Sequence, residues 1–121
     1  MPSLPRGFSS IALLGFLLLF GCEQAAKRKW EIVAENQSNA PCTVSVDLGG
    51  GTFNDARVND LPQGKRWVLL SAVPKVVIRS VKVVCRQQEQ EIKPDVELPV
   101  GKQYLIQVAV DGRVSASIVD Q

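Results

Sequence analysis

From Trp30 onward, apolar and polar residues alternate in short runs rich in Val, Ile and Thr, and clusters of Asn, Gly, Pro and Asp separate the runs. Alternation with a period of two turns one side of each run toward a core and the other toward water, which is the pattern of β-strands. It predicts strands at Trp30–Asn36, Cys42–Leu48, Ala56–Asn59, Arg66–Ala72, Lys75–Arg86, Gln103–Val110 and Val114–Val119, with a further one at Glu91–Lys93 or Val96–Leu98. The run from Lys75 is long enough to bend or split at Ser80. No ten-residue stretch of this region carries helical periodicity. Short strands at this spacing predict an all-β domain, a small immunoglobulin-like β-sandwich of about seven strands; a small β-barrel is the alternative. The reading concerns architecture only. The residue two before Cys85 is Val83, where immunoglobulin domains place a Tyr, and Trp67 stands far beyond Cys42.

The turns add detail. A two-residue turn at Asp111-Gly112 would pair Ile106 with Ser117 and Val108 with Ser115, mixing apolar and polar residues on one face. A three-residue loop of Val110, Asp111 and Gly112 sets Val108 opposite Val114, Ile106 opposite Ala116 and Tyr104 opposite Ile118, with Gly112 at the left-handed position of a bulge. The second register keeps the apolar face whole and is the one expected. Leu61-Pro62-Gln63-Gly64-Lys65 and Leu98-Pro99-Val100-Gly101-Lys102 share the form Leu-Pro-x-Gly-Lys. Each reads as a Pro-Gly turn launching a strand, and recurring turn chemistry explains the likeness better than an internal repeat.

Ahead of the domain, Met1 to Gly7 carries Arg6, Phe8 to Phe20 is apolar apart from Ser9 and Ser10, and Gly21 precedes Cys22. A charged start, an apolar core and a small residue before the cut make an export signal. The core is short of the roughly 20 residues needed to span a bilayer. Leu19-Phe20-Gly21-Cys22 resembles the lipobox of bacterial lipoproteins, in which Leu three residues before the cut and a small residue at it precede the Cys that receives diacylglycerol. The resemblance implies that residues 1–21 are a lipoprotein signal peptide, that Cys22 is the lipidated residue, and that the protein sits in the bacterial cell envelope. Where there are two membranes, Glu23 after the Cys resembles the pattern sorted to the periplasmic side of the outer membrane. Acylation by two or three chains anchors stably where one chain does not. Residues 22–29 are then a short tether and 30–121 the single domain; seven extended residues reach at most about 25 Å, which keeps the domain close to the bilayer.

Removing residues 1–21 takes one of 14 basic residues and none of 12 acidic ones, leaving a net charge of +1. Electrostatics therefore point to no polyanionic partner and no nucleic acid. In an exported protein Cys42 and Cys85 are expected to form a disulfide. Cys42 alternates in phase with Val44, Val46 and Leu48, and Cys85 with Val81 and Val83, so both thiols face one core. With no His in the chain, Ser-His-Asp and Cys-His hydrolases and most zinc sites are excluded. Ser71 or Ser80 with Lys75 or Lys82 are residue types common on β surfaces, and the acidic residues are scattered through loops. No catalytic residue, metal ligand or cofactor is assigned.

Two features remain for binding. Gly49-Gly50-Gly51 leads into Phe53, whose neighbours Thr52, Asn54 and Asp55 are polar; Phe53 is the aromatic expected to be exposed as an anchor, with Gly50, Gly51 and Asn54 beside it. Trp67, two residues from Leu69, is assigned to the core. The run Gln87–Glu91 reads as a polar turn. The function expected is a lipid-anchored, non-catalytic interaction or accessory module that docks an envelope protein near its own membrane. The alternative is a periplasmic inhibitor or small-ligand-binding lipoprotein.

Overall fold

The computed structural model describes residues 29–121; the expected signal peptide, Cys22 and the expected tether as far as Arg28 lie outside the described residues. Nine strands follow one another: β1 (Trp30–Asn36), β2 (Cys42–Gly49), β3 (Asp55–Leu61), β4 (Lys65–Ala72), β5 (Val77–Cys85), β6 (Gln88–Ile92), β7 (Val96–Glu97), β8 (Lys102–Val108) and β9 (Val114–Asp120). They form two sheets, β4-β1-β8-β9 and β3-β2-β5-β6, with β7 also on β5. The sheets stack as a sandwich and do not close into a barrel. Neighbours are antiparallel except for the parallel pair β1 and β8.

Alternation builds the core as expected. β2 sends Cys42, Val44, Val46 and Leu48 inward to meet Trp30, Ile32 and Ala34 of β1 and Tyr104, Ile106 and Val108 of β8, all buried. Trp30 is the largest of them, and its indole Nε1 donates to the Pro74 carbonyl at 2.7 Å, so its one polar atom is satisfied inside the core. Val33 departs from the alternation. It is fully buried on the outer face, between Val68 of β4 and Leu105 of β8, as a central strand allows.

Both Leu-Pro-x-Gly-Lys segments carry the chain from the second sheet into the first. In each, the Lys N–H donates to the Pro carbonyl, at 3.2 Å for Lys65 and 3.3 Å for Lys102, and the glycine has positive φ, 76° at Gly64 and 80° at Gly101. Glycine takes that φ without the steric penalty of a Cβ. The two strands so launched, β4 and β8, are the two neighbours of β1. Gly64 N–H donates to Asn36 O at one end of β1, and Gly101 N–H to Lys29 O at the other. Leu61 and Leu98 are buried at opposite ends of the core.

The β8–β9 hairpin takes the expected register: Val108 faces Val114, Ile106 faces Ala116 and Tyr104 faces Ile118. Ala109 N–H bonds Arg113 O and Gly112 sits at φ 87°. β5 is irregular beside Ser80, where Arg79 is an extra residue opposite β2. Cys42 and Cys85 are bonded, directly opposite each other on adjacent strands with Cα atoms 4.4 Å apart. The bridge thus ties two strands of one sheet and does not cross the sandwich, as it does in immunoglobulin domains.

Three expectations are corrected. Gln88–Ile92 is strand, not turn; the turn is Arg86-Gln87, with φ of 50° and 68°, the pair of left-handed residues of a type I′ hairpin. Both candidate segments after it pair with β5, separated by one extra residue near Asp95, so the count is nine strands. Trp67 is 57% exposed; it lies opposite Ala34 on the inward side, but on the edge strand β4, where the sandwich is open.

Candidate functional site

The strands give the sandwich two ends. At the entry end lie Lys29, the loop 49–54, the segment 73–76 and the turn at Val100; at the far end lie the loop 37–41, the Arg86-Gln87 turn and the tip of the β8–β9 hairpin.

The expected binding residues Gly50, Gly51, Phe53 and Asn54 are together at the entry end. The loop folds back on the core. Leu48 N–H donates to Asn54 O at 2.8 Å, and a Cβ on Gly51 would stand 2.1 Å from the Lys75 carbonyl oxygen, so only glycine permits that approach. Close seating of this backbone places Phe53 edge-on to Trp30, with centroids 6.2 Å apart at 90°. Phe53 is therefore half-buried, packed on the core, and not the free exposed ring expected of it. Gly50, Gly51 and Asn54 are exposed.

A cleft of about 340 Å³ lies at the far end. It exists because β6 has glutamine where a closed sandwich would have apolar residues: Gln88 and Gln90 face Cys85 and Val83 on the inward side. Their amides form one wall, with Arg86 beside them, while Val110 and Gly112 of the hairpin tip form the other. Gln90 spans the gap. Its Nε2 donates to Gly112 O at 2.7 Å, and its Oε1 accepts from Val114 N–H at 3.2 Å. Arg86 Nη2 donates to Asn39 O at 3.4 Å, and Val110 on the rim is 75% exposed. The cleft offers neutral amide donors and acceptors, the Arg86 guanidinium, the Asp111 carboxylate that Arg113 also contacts at 3.4 Å, and the apolar Val110, and Cys85 at its floor is committed to the disulfide.

Asn36 supports this end, and sequence reasoning missed it. Fully buried, it donates through Nδ2 to Ala40 O at 2.7 Å and Leu61 O at 2.8 Å, and accepts through Oδ1 from Ser38 N–H at 2.9 Å and Ser38 Oγ at 2.7 Å. All four hydrogen-bonding positions of the amide are used. The spacing Asn-x-Ser at a strand end, with Asn accepting from the N–H two residues on, is the available sequence signal.

A shallower hollow of about 260 Å³ lies on the outer face of the second sheet, over Ser45, Asp47, Ser80 and Lys82. Lys82 Nζ lies 3.7 Å from Glu89 and 4.0 Å from Glu91, so its ammonium is engaged by carboxylates. Among the described residues no group of three or more His, Cys, Asp or Glu stands close enough to hold a metal ion. No family model matches the chain, and no curated protein is significantly similar to it.

Proposed function

We propose that the chain is a lipid-anchored interaction module of the bacterial cell envelope, held through Cys22 and without catalytic activity, which docks a partner protein in the far-end cleft. The observation that carries the choice of site is that the chain enters the domain at Lys29, at the opposite end from the cleft. A seven-residue strand is about 23 Å long, so a short tether at one end leaves the other unobstructed. The cleft chemistry suits a polypeptide: amide side chains match backbone groups, and Val110 adds an exposed apolar contact. The loop 49–54, by contrast, lies at the tethered end and is packed down.

The test is cross-linking in the producing cells, with captured proteins identified by mass spectrometry. Three variants are compared: Cys22→Ser, the pair Arg86→Ala with Gln88→Ala, and Asn54→Ala. The reading expects one envelope protein captured by the unchanged chain and by Asn54→Ala, and lost with both other variants. Loss with Asn54→Ala alone would move the docking surface to the entry end. The intact mass of the purified protein reads separately whether residues 1–21 are removed and Cys22 acylated.

The volume of the cleft also falls at the lower end of the range for small-molecule sites, which favours a small polar ligand as the second reading. Under it, Arg86→Ala loses a ligand-induced rise in melting temperature while protein capture finds nothing.

A further inference from the structure

Among the described residues the sandwich has four free edges, and they differ. β3 carries Asp55, Arg57 and Asp60 and an irregular register with β2. β4 carries Lys65, Arg66 and a bulge opposite Ile32 and Val33. β6 and β7 carry Glu89 and Glu91 and are broken at Lys93-Pro94-Asp95, where Asp95 has φ 47°. Charge, bulge and proline are the devices by which edges resist pairing with another chain. β9 has none of them: no charge lies between Val114 and Val119, and its seven pairs with β8 run without a shift.

The geometry fixes which of its groups point outward. Ala109 N–H bonds Arg113 O at the hairpin's closing pair. Hydrogen-bonded and non-bonded pairs alternate along an antiparallel ladder, so Ser115 and Ser117 bond to β8, and Val114, Ala116 and Ile118 turn their N–H and C=O groups away. Gln90 occupies the first of these positions. Its carboxamide holds Val114 N–H, the first of these outward groups, together with Gly112 O beside it.

The segment Val114-Ser115-Ala116-Ser117-Ile118 has nearly the same character read in either direction. We propose that β9 pairs antiparallel with β9 of a second copy about a two-fold axis at Ala116, joining two four-stranded sheets into one of eight strands. The register sets Val114 of one copy opposite Ile118 of the other and Ala116 opposite Ala116 on the inward side, with Ser115 opposite Ser117 outside. Ile118, 37% exposed in the single chain, gains an apolar neighbour. The two-fold symmetry makes the Val114 to Ile118 contact twice. A slip of one residue would set the apolar row of one copy against the serines of the other and lose this complementarity. Gln90 competes for the same edge, so pairing requires its amide to swing away. The proposal does not depend on lipid anchoring.

The test uses the full chain with Cys22→Ser, in mild detergent. Ser115 and Ser117 would form a non-hydrogen-bonded pair with Cα atoms about 4.5 Å apart, the separation at which Cys42 and Cys85 are bridged, 4.4 Å. Under mild oxidation, Ser115→Cys mixed with Ser117→Cys is expected to give a disulfide-linked dimer, while each variant alone forms no such link. Gln90→Ala, which empties the edge at an exposed position, is expected to tighten the dimer measured by sedimentation about threefold or more. Ile118→Lys is expected to abolish it. A monomer for the unchanged chain and Gln90→Ala alike at up to about 1 mM would overturn the proposal. So would efficient cross-linking of Ser115→Cys to itself.

Discussion

Asn36→Leu tests how the far end of the sandwich is held. Leucine fits the buried volume and makes none of the four hydrogen bonds. The Ser38 hydroxyl, released from Asn36 Oδ1, turns its proton to the Ala40 carbonyl 3.1 Å away. Ser38 N–H and the Leu61 carbonyl lose the asparagine as a partner. A buried polar group left unpaired costs about 1–3 kcal/mol, so two such groups set the expected loss near 3–4 kcal/mol. That is a large part of a small domain's stability. In urea, with the disulfide intact, the midpoint should fall by about 2 M at an unchanged slope. Asn36→Asp keeps the acceptor and sets a carboxylate against two carbonyls; it should cost at least as much at neutral pH and regain part of the loss once the carboxyl is protonated in acid. A loss below about 1 kcal/mol for Asn36→Leu would refute the reasoning, because it would mean that water or backbone adjustment satisfies this end as well as the amide does.

Replacing Cys42 and Cys85 together by Ala releases a cross-link between residues 43 apart and should cost about 4 kcal/mol in the chain-entropy account, read from the urea midpoint; a drop under about 1 kcal/mol would show that the bridge constrains the unfolded chain little. Burial raises the Tyr104 phenol above its ordinary value, so the folded state holds that proton after the unfolded chain has released it. Stability from this group is intact below pH about 10 and declines as pH rises beyond it; urea midpoints at pH 9 and above should fall less for Tyr104→Phe than for the unchanged chain, and equal falls would refute the assignment. Gly51→Ala should destabilise by about 2 kcal/mol because its Cβ meets the Lys75 backbone, whereas Gly64→Ala, with open space around it, should lose only the roughly 1 kcal/mol of a strained φ; melting temperatures in the reverse order would refute the packing account.

The strand faces and the last hairpin's register were legible in the sequence because each depends on neighbours along the chain. β2 alternates without a break, and one face of β8 and β9 stays apolar only in the observed pairing. Gln87–Glu91 misled because an edge strand with glutamine inside and glutamate outside has no hydrophobic contrast, and Arg86-Gln87 lacks the Asn-Gly chemistry of its turn type. For Trp67 the side of the strand was legible and the exposure was not. Whether an inward residue is covered depends on how far from the middle of its sheet it lies, and β4 is an edge.

The candidate site was less legible for the same reason. Phe53 looks isolated among polar neighbours, yet its loop is drawn onto Trp30 by a backbone contact that only a glycine 24 residues before Lys75 permits. The likeness of the two Leu-Pro-x-Gly-Lys turns was plain as turn chemistry, while its consequence, a clasp on both ends of β1, appears only once β4 and β8 are known to flank that strand. Gln90 shows the limit most clearly. Nothing near it in sequence marks it out from Gln87 or Gln88. Its place on β6, inward and beside the open edge of β9, puts one amide in contact with both the cleft and the strand proposed to pair. If both proposals hold, Gln90→Ala should loosen partner docking and tighten self-pairing together. Separate responses would show that the cleft and the edge work independently.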